Sequence, residues 1–400
     1  MNIAVNKTPA ELAYDGMLLP HPRLEDWKWT NLRVLIDRPY PPRVKADAAR
    51  KDIERLLKRD PLAKLAHTRI VFVSGEFAED FSNLPTGGDV KVTPHRAPLS
   101  DADEPVLDMN KAFATAGVHV EIASNIDAPV ALVHVATNAK ARTVATRHSI
   151  AVTDRASATL FETHLGEGDY LSNSVIDITL GAGAKLDRVK LEIEAREAIH
   201  LAHARIAIGR NAILRDFTLT SGARVNRQNG TISFIGEKAD AKIAGSYLLA
   251  DKQHADTRLF IDHRMPKCTS RELFKCVMDE KARGIFQGKV IVQRDAQKTD
   301  GKQSSHALLL SEAAEFDAKP ELEIYADDVV CGHGATSGDI NHDHLFYLRS
   351  RGIPESEAKS MLIGAFVGEA FDTIGHEEVR AALTSFARSW LRTRGTQASS

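Results

Sequence analysis

Cys331 and His333 stand two residues apart in the run Leu322–Arg351, with Gly332 and Gly334 on either side of the histidine. In a β-strand, residues i and i+2 point to the same face, about 6.6 Å apart along the chain. The pair would therefore present a soft sulfur and an imidazole on one side of one strand. The glycines carry no side chains, so another backbone could approach closely there. Metal or sulfur handling, a tight interface, or both would follow. A lone Cys-x-His is not a complete metal site, because structural zinc sites use four ligands at recognisable spacings. A buried cysteine beside a structural histidine is the alternative on spacing alone.

The elements that must position this pair come from the rest of the chain. From about 117 to 340, short β-rich runs recur between polar or glycine turns: Val118–Ile122, Val130–Val135, Thr143–Val152, Ala158–Thr163, Val175–Leu180 and Leu186–Ile193. Two windows match at an offset of 28, one starting at Gly181 and one at Gly209. They align Ala184 with Ala212, Leu186 with Leu214, Val189 with Phe217 and Leu191 with Leu219. A weaker echo starts at Asp240. Self-similarity at this period points to a solenoid or propeller. No Trp-Asp signature of a propeller occurs. Small residues at equivalent turns suit a parallel β-helix, in which each coil stacks on the last. A β-sandwich is the rival.

Flanking segments read as helical. Residues 1–66 carry a capping box at Thr8–Glu11, a break at Pro39, Pro41 and Pro42, and an apolar face at Ile53, Leu56 and Leu57. Trp27 and Trp29 are expected to anchor a small helical unit. Residues 67–116 hold a strand near Arg69–Gly75 and a polar connection. After Gly338 the pattern turns helical again. Pro354 opens a helix, followed by Ala358, Met361, Leu362, Ala365, Phe366 and Ala370 at helical spacing. A second helix offers Val379, Ala382, Leu383, Phe386 and Trp390. These helices could cap the open end of a solenoid or dock a partner. The expected organisation is thus 1–66 helical, 67–116 connecting, 117–340 β-helix, 341–394 helical and 395–400 a disordered tail.

Composition narrows the function. The 400 residues are 43% hydrophobic, enough for a large core. A net charge of -2 argues against a dedicated nucleic-acid binder. Three cysteines, Cys268, Cys276 and Cys331, are too few for a disulfide framework and fit a reducing, cytoplasmic setting. No secretory signal and no membrane span of ~18 apolar residues is visible. There is no P-loop, so no ATP bound in that way, and no His-Glu-x-x-His, Gly-x-Ser-x-Gly or Cys-x-x-Cys. Asp256, Asp262 and His263 could form an acid–base group of a β-helix enzyme acting on polysaccharide.

Several long motifs resemble the SufB/SufD family of iron–sulfur cluster assembly proteins, SufD more than SufB. They are KPELEIYADDVVCGHGATSG, LFYLRSRGI and the helix ending GEAFD. Upstream lie the run from Ser270 to Gln303 and, weakly, EDWKWTNL. The likeness is dense from about 254 to 374. It implies a right-handed parallel β-helix between helical N- and C-terminal regions, and a non-catalytic scaffold. It implies pairing with a SufB-like chain through the β-helix, or with a second copy when isolated. A SufC-like ABC ATPase would dock on the C-terminal helices around Pro354, Ala358, Met361, Leu362, Ala365 and Phe366. A transient iron–sulfur cluster would form at the interface, with His333 and Cys331 as tentative ligands shared with the partner. A SufB-like or homodimeric scaffold is the nearest alternative. The resemblance sets neither the cluster type nor whether a flavin binds. At Asn341-His342-Asp343-His344 the chain departs from relatives, which tend to be acidic there.

Overall fold

A computed structural model describes residues 19–21, 23–41, 48–66, 68–94 and 104–395. The expected capping box at Thr8–Glu11 and the tail beyond Gly395 lie outside them. In chain order the first strands are β1 (Thr68–Val73), β2 (Glu76–Phe77), β3 (Val90–Pro94), β4 (Val118–Ile122), β5 (Val130–Val152), β6 (Ser157–Leu180) and β7 (Lys185–Ile193). Then come β8 (Ile199–Ile208), β9 (Ile213–Thr220), β10 (Val225–Phe234), β11 (Asp240–Leu249) and β12 (His254–His263). The last are β13 (Thr269–Met278), β14 (Arg283–Val292), β15 (Asp300–Leu309), β16 (Glu315–Ile324) and β17 (Val330–Gly338). The longer helices are α1 (Leu32–Leu35), α2 (Arg50–Leu57), α3 (Pro105–Phe113), α4 (His342–Ser350), α5 (Glu355–Phe371) and α6 (Glu377–Gly395).

Pairing is parallel from coil to coil, and the result is a flattened β-helix with two walls. One wall runs β1, β5, β6, β7, β9, β11, β13, β15, β17. The other runs β4, β5, β6, β8, β10, β12, β14, β16. β5 and β6 are long enough to serve both. The 28-residue repeat is the ladder itself: Leu186 pairs with Leu214, Val189 with Phe217 and Leu191 with Leu219. β1, from the stretch expected to be a connection, pairs in parallel with β5 and so belongs to the solenoid.

Small residues stack at one turn of every coil. Ala156, Ala184, Ala212, Ala239 and Cys268 are each buried just ahead of a strand of the first wall. Cys268 is therefore the fifth rung of an alanine column, and its thiol behaves as a small apolar group. A Cβ on Gly209 would come within 2.6 Å of the Leu180 carbonyl in the coil below, so only glycine fits that approach.

The lumen holds an apolar core that includes Leu160, Leu186, Leu214, Phe274, Phe286 and Val290. Each such fully buried side chain contributes about 1.5–3 kcal/mol. The outer face of the first wall is covered by α5 and α6, whose Ala358, Ile363, Val367, Phe371, Val379 and Leu383 pack with Val189, Phe217, Leu248 and Val277. The outer face of the second wall is covered by the N-terminal segment and α3. There Trp27, Leu32, Ile36, Tyr40, Val106 and Met109 pack on Leu171, Ile199 and Leu201. Trp27 thus anchors the N-terminal segment to the solenoid, with the Arg227 guanidinium 4.5 Å above its ring. Among the described residues of that segment, only Leu32–Leu35 and Arg50–Leu57 are α-helical.

Candidate functional site: the open mouth of the solenoid

Cys331 and His333 lie on β17, the last strand of the first wall. Cys331 is level with Gly301 and His333 with Gln303. A Cβ on Gly301 would lie 3.5 Å from both Cys331 Sγ and Ser270 Oγ, which places the cysteine sulfur on the lumen side. Strand alternation puts His333 on that same side, over Gln303. Cys331 is half-buried and His333 is exposed. The two residues therefore sit together at the rim of the last coil, as their spacing predicts.

Among the described residues nothing closes this rim. β17 pairs only with β15, and β16 only with β14, apart from their contact as neighbours in one coil. β17 is largely exposed and β16 mostly half-buried, whereas β14 below β16 is mostly buried. Ile324, Tyr325 and Val330 are exposed apolar residues of this coil. An unpaired edge with exposed apolar side chains is a template for pairing with another chain. The C-terminal helices do not cover it: α5 runs along the flank, against β11 and β13.

Beneath His333 the register continues to Gln303 and then Glu272. Both are buried, and neither oxygen of Glu272 nor either side-chain polar atom of Gln303 finds a hydrogen-bond partner. Buried polar groups are nearly always paired, so two unpaired ones in a row mark a special place. Burial pushes the Glu272 carboxyl up to about 7, with Ser270 and Arg271 offsetting it only in part. Burial also raises the Cys331 thiol, and Asp300 and Glu272 add to that shift. The surroundings thus favour the neutral thiol over the thiolate.

Sequence reasoning missed Gln303 and Glu272. They lie 30 and 61 residues before His333, and only the coil-to-coil register brings them under it. The other expected groups do not assemble. Asp256 faces outward, paired with Arg227 and held by Gln287 Nε2 at 2.9 Å. Asp262 pairs with Arg264, while His263 points into the lumen and stacks on Phe234 at 4.2 Å. The proposed acid–base trio is thus divided between two faces of β12. His342 and His344 are exposed in the first turn of α4, where Asn341 accepts the His344 amide. Cys276 is fully buried, and burial holds its thiol well above the usual range.

Of the six residues expected on the docking helix, Ala358 is buried against the solenoid, and Leu362 and Phe366 are half-buried. Pro354, Met361 and Ala365 remain exposed. Met361, Gly364 and Ala365 line a groove of about 1090 Å³ between α5 and α6, with Thr384, Arg388 and Leu391 opposite. The helix is apolar nearly all round, so spacing alone did not separate the packed stripe (Ala358, Ile363, Val367, Ala370) from the free one.

The site is thus the exposed end of a parallel β-helix with helices on its flanks and a Cys–His pair on its last strand. The comparisons give the family. The model of the SufBD core domain, described as SUF system FeS cluster assembly, matches residues 134–366. The chain is 31% identical over 374 residues to the iron–sulfur cluster assembly protein SufD of Escherichia coli, covering 90% of this chain and 87% of that one. It is 30% identical over 404 residues to an iron–sulfur cluster assembly SufBD family protein of Synechocystis sp., covering 93% and 88%. A SufBD family protein of Mycobacterium bovis is 34% identical over 230 residues, covering 56% and 57%. The chain belongs to the SufB/SufD family and is similar to SufD.

Proposed function

We propose that this chain is a SufD-like scaffold subunit of a cytoplasmic SUF-type complex that assembles nascent iron–sulfur clusters. The chain is non-catalytic, and the cluster is its cargo. A SufB-like chain closes the mouth by pairing along β16 and β17 and supplies the remaining ligands. A SufC-like ABC ATPase docks in the groove between α5 and α6 and carries the ATPase activity. What supports this reading above all is one observation: the sulfur–imidazole pair of Cys331 and His333 sits on a strand with one unpaired edge, at an end that the described residues leave uncovered.

The chemistry follows from the donors. Thiolate and imidazole both suit iron, and a thiolate also accepts sulfur. Two ligands do not complete a coordination sphere, so the partner must bring others. A site split between two chains opens when the chains move, and nucleotide binding on a docked ATPase can shift that equilibrium. His333, already exposed, carries the main role, and Cys331 assists. His333→Ala is expected to abolish cluster maturation in vivo while co-purification with SufB and SufC homologues persists. Maturation retained in that variant contradicts the assignment. An isolated chain that turns brown on reconstitution, with thiolate-to-iron absorption, would favour a self-sufficient homodimer instead.

A further inference from the structure

A second polar cluster is sealed inside the solenoid, several coils away from the mouth. Glu162 and His164 lie on the lumen side of β6, Arg188, Lys190 and Glu192 on that of β7, and His200 on that of β8. Glu194 follows β7 at the corner. All are at least nine-tenths buried. One donor atom each from His164, Glu194 and His200 lies within 4.8 Å of the other two.

The hydrogen bonding prepares these atoms. His164 Nε2 is 2.9 Å from Glu162 Oε1, while its Nδ1 is buried with no partner. When Nε2 donates to the carboxylate, Nδ1 is left as a bare lone pair. His200 instead lies between two carboxylates: Nε2 is 2.8 Å from Glu192 Oε1, and Nδ1 is 2.7 Å from Glu194 Oε2. Neither contact has hydrogen-bond geometry, and Glu192 Oε1, Glu194 Oε2 and His200 Nδ1 are all without a hydrogen-bond partner. Tyr170 fixes the other oxygen of Glu194 by donating to Oε1 at 3.0 Å. A carboxylate behind each imidazole is the outer shell that metal-bound histidines almost always have.

Charge points the same way. The carboxylates of Glu162, Glu192, Glu194 and Asp216 converge here on Arg188 and Lys190 and on the two imidazoles, four acidic groups around one pair of rings. Lys190 Nζ does not occupy the space between the three donor atoms, since it sits 3.3 Å from His200 Nε2, on the far side of that ring from Nδ1. Glu194 also borders an outer cleft of about 540 Å³ with Gly166, Glu167 and Arg196.

We infer that His164, His200 and Glu194 bind one divalent first-row transition-metal ion inside the β-helix, with Glu162 and Glu192 as outer-shell carboxylates. Two nitrogens and an oxygen suit Zn²⁺ or Fe²⁺. The site is separate from the Cys331–His333 mouth and holds a resident ion.

The test uses the full chain in a C331S/H333A background, which removes the mouth as a binder. Zn²⁺ and, without oxygen, Fe²⁺ are added separately, and bound metal is counted after dialysis. One ion per chain is expected, with two imidazoles in its X-ray absorption spectrum. His164→Gln should weaken binding at least about 100-fold and Glu162→Gln about 10–100-fold. Preference between the two metals identifies the resident ion. Binding unchanged in both variants, or no bound metal of either kind, overturns the inference. Should H164Q fail to fold, the parent background decides: metal that shows no imidazole ligands and does not raise Tm is equally contradictory.

Discussion

The two ends of the lumen handle polar side chains in opposite ways. In the sealed stretch around β6, β7 and β8, charges are dense but matched to one another. Arg188 bridges Glu162 at 2.7 Å and Asp216 at 2.9 Å, and Lys190 meets Glu192 at 2.7 Å. At the open end the polar groups are few and unmatched: His333 exposed, and Gln303 and Glu272 buried without partners. Charges buried inside one chain must be paired within it, because an unpaired one costs several kcal/mol. Groups at a rim can wait for partners from another chain. The sealed charges therefore support the fold of the single chain, and on the proposed function the mouth serves the assembly.

Substitutions should separate the two regions. The largest effect is expected inside. Arg188→Met strands Glu162 and Asp216 and should cost about 3–5 kcal/mol in denaturant unfolding. A loss below about 1 kcal/mol would mean that the sealed cluster is not a matched network.

Glu272→Gln should go the other way. The folded carboxyl titrates near 7, above its ordinary value of 4.5, so the folded state prefers the proton more than the unfolded state does. The stability this group contributes is full below pH 4.5 and is lost as the pH rises through about 7. The glutamine variant should match the parent below pH 4.5 and exceed it above pH 7, by up to about 3 kcal/mol. A constant difference across that range would show that Glu272 has a partner in the free chain.

The smallest effect on the chain itself is expected on the flank. Met361→Glu places a charge in the groove between α5 and α6, at a residue 48% exposed. Stability should change by less than about 0.5 kcal/mol. Pull-down of a SufC-like ATPase should weaken at least about tenfold, an outcome that would move the docking site elsewhere if absent.

The same contrast explains what was legible in the sequence. The coils were readable because Gly181 and Gly209, and Ala184 and Ala212, must repeat wherever turns stack. Cys331 and His333 were readable because two residues in one strand share a face. The sealed cluster was not. In Arg188-Val189-Lys190-Leu191-Glu192-Ile193 the alternation normally means charges to solvent and apolar residues to a core. Here α5 and α6 bury the apolar side from outside, and the charges turn into the lumen. Gln303 and Glu272 were hidden for a different reason, since their place under His333 depends on register across two coils. β1 lay too far from the repeats in sequence to be read as part of them.

The central claim is that the mouth is completed by a second β-helix chain. Hydrogen exchange, measured on this chain alone and then bound to a SufB homologue, tests it directly. β16 and β17 amides should exchange quickly in the free chain and become protected in the complex, while the sealed coils stay unchanged. Protection confined to α5 and α6, with residues 330–338 still exchanging freely, would contradict it.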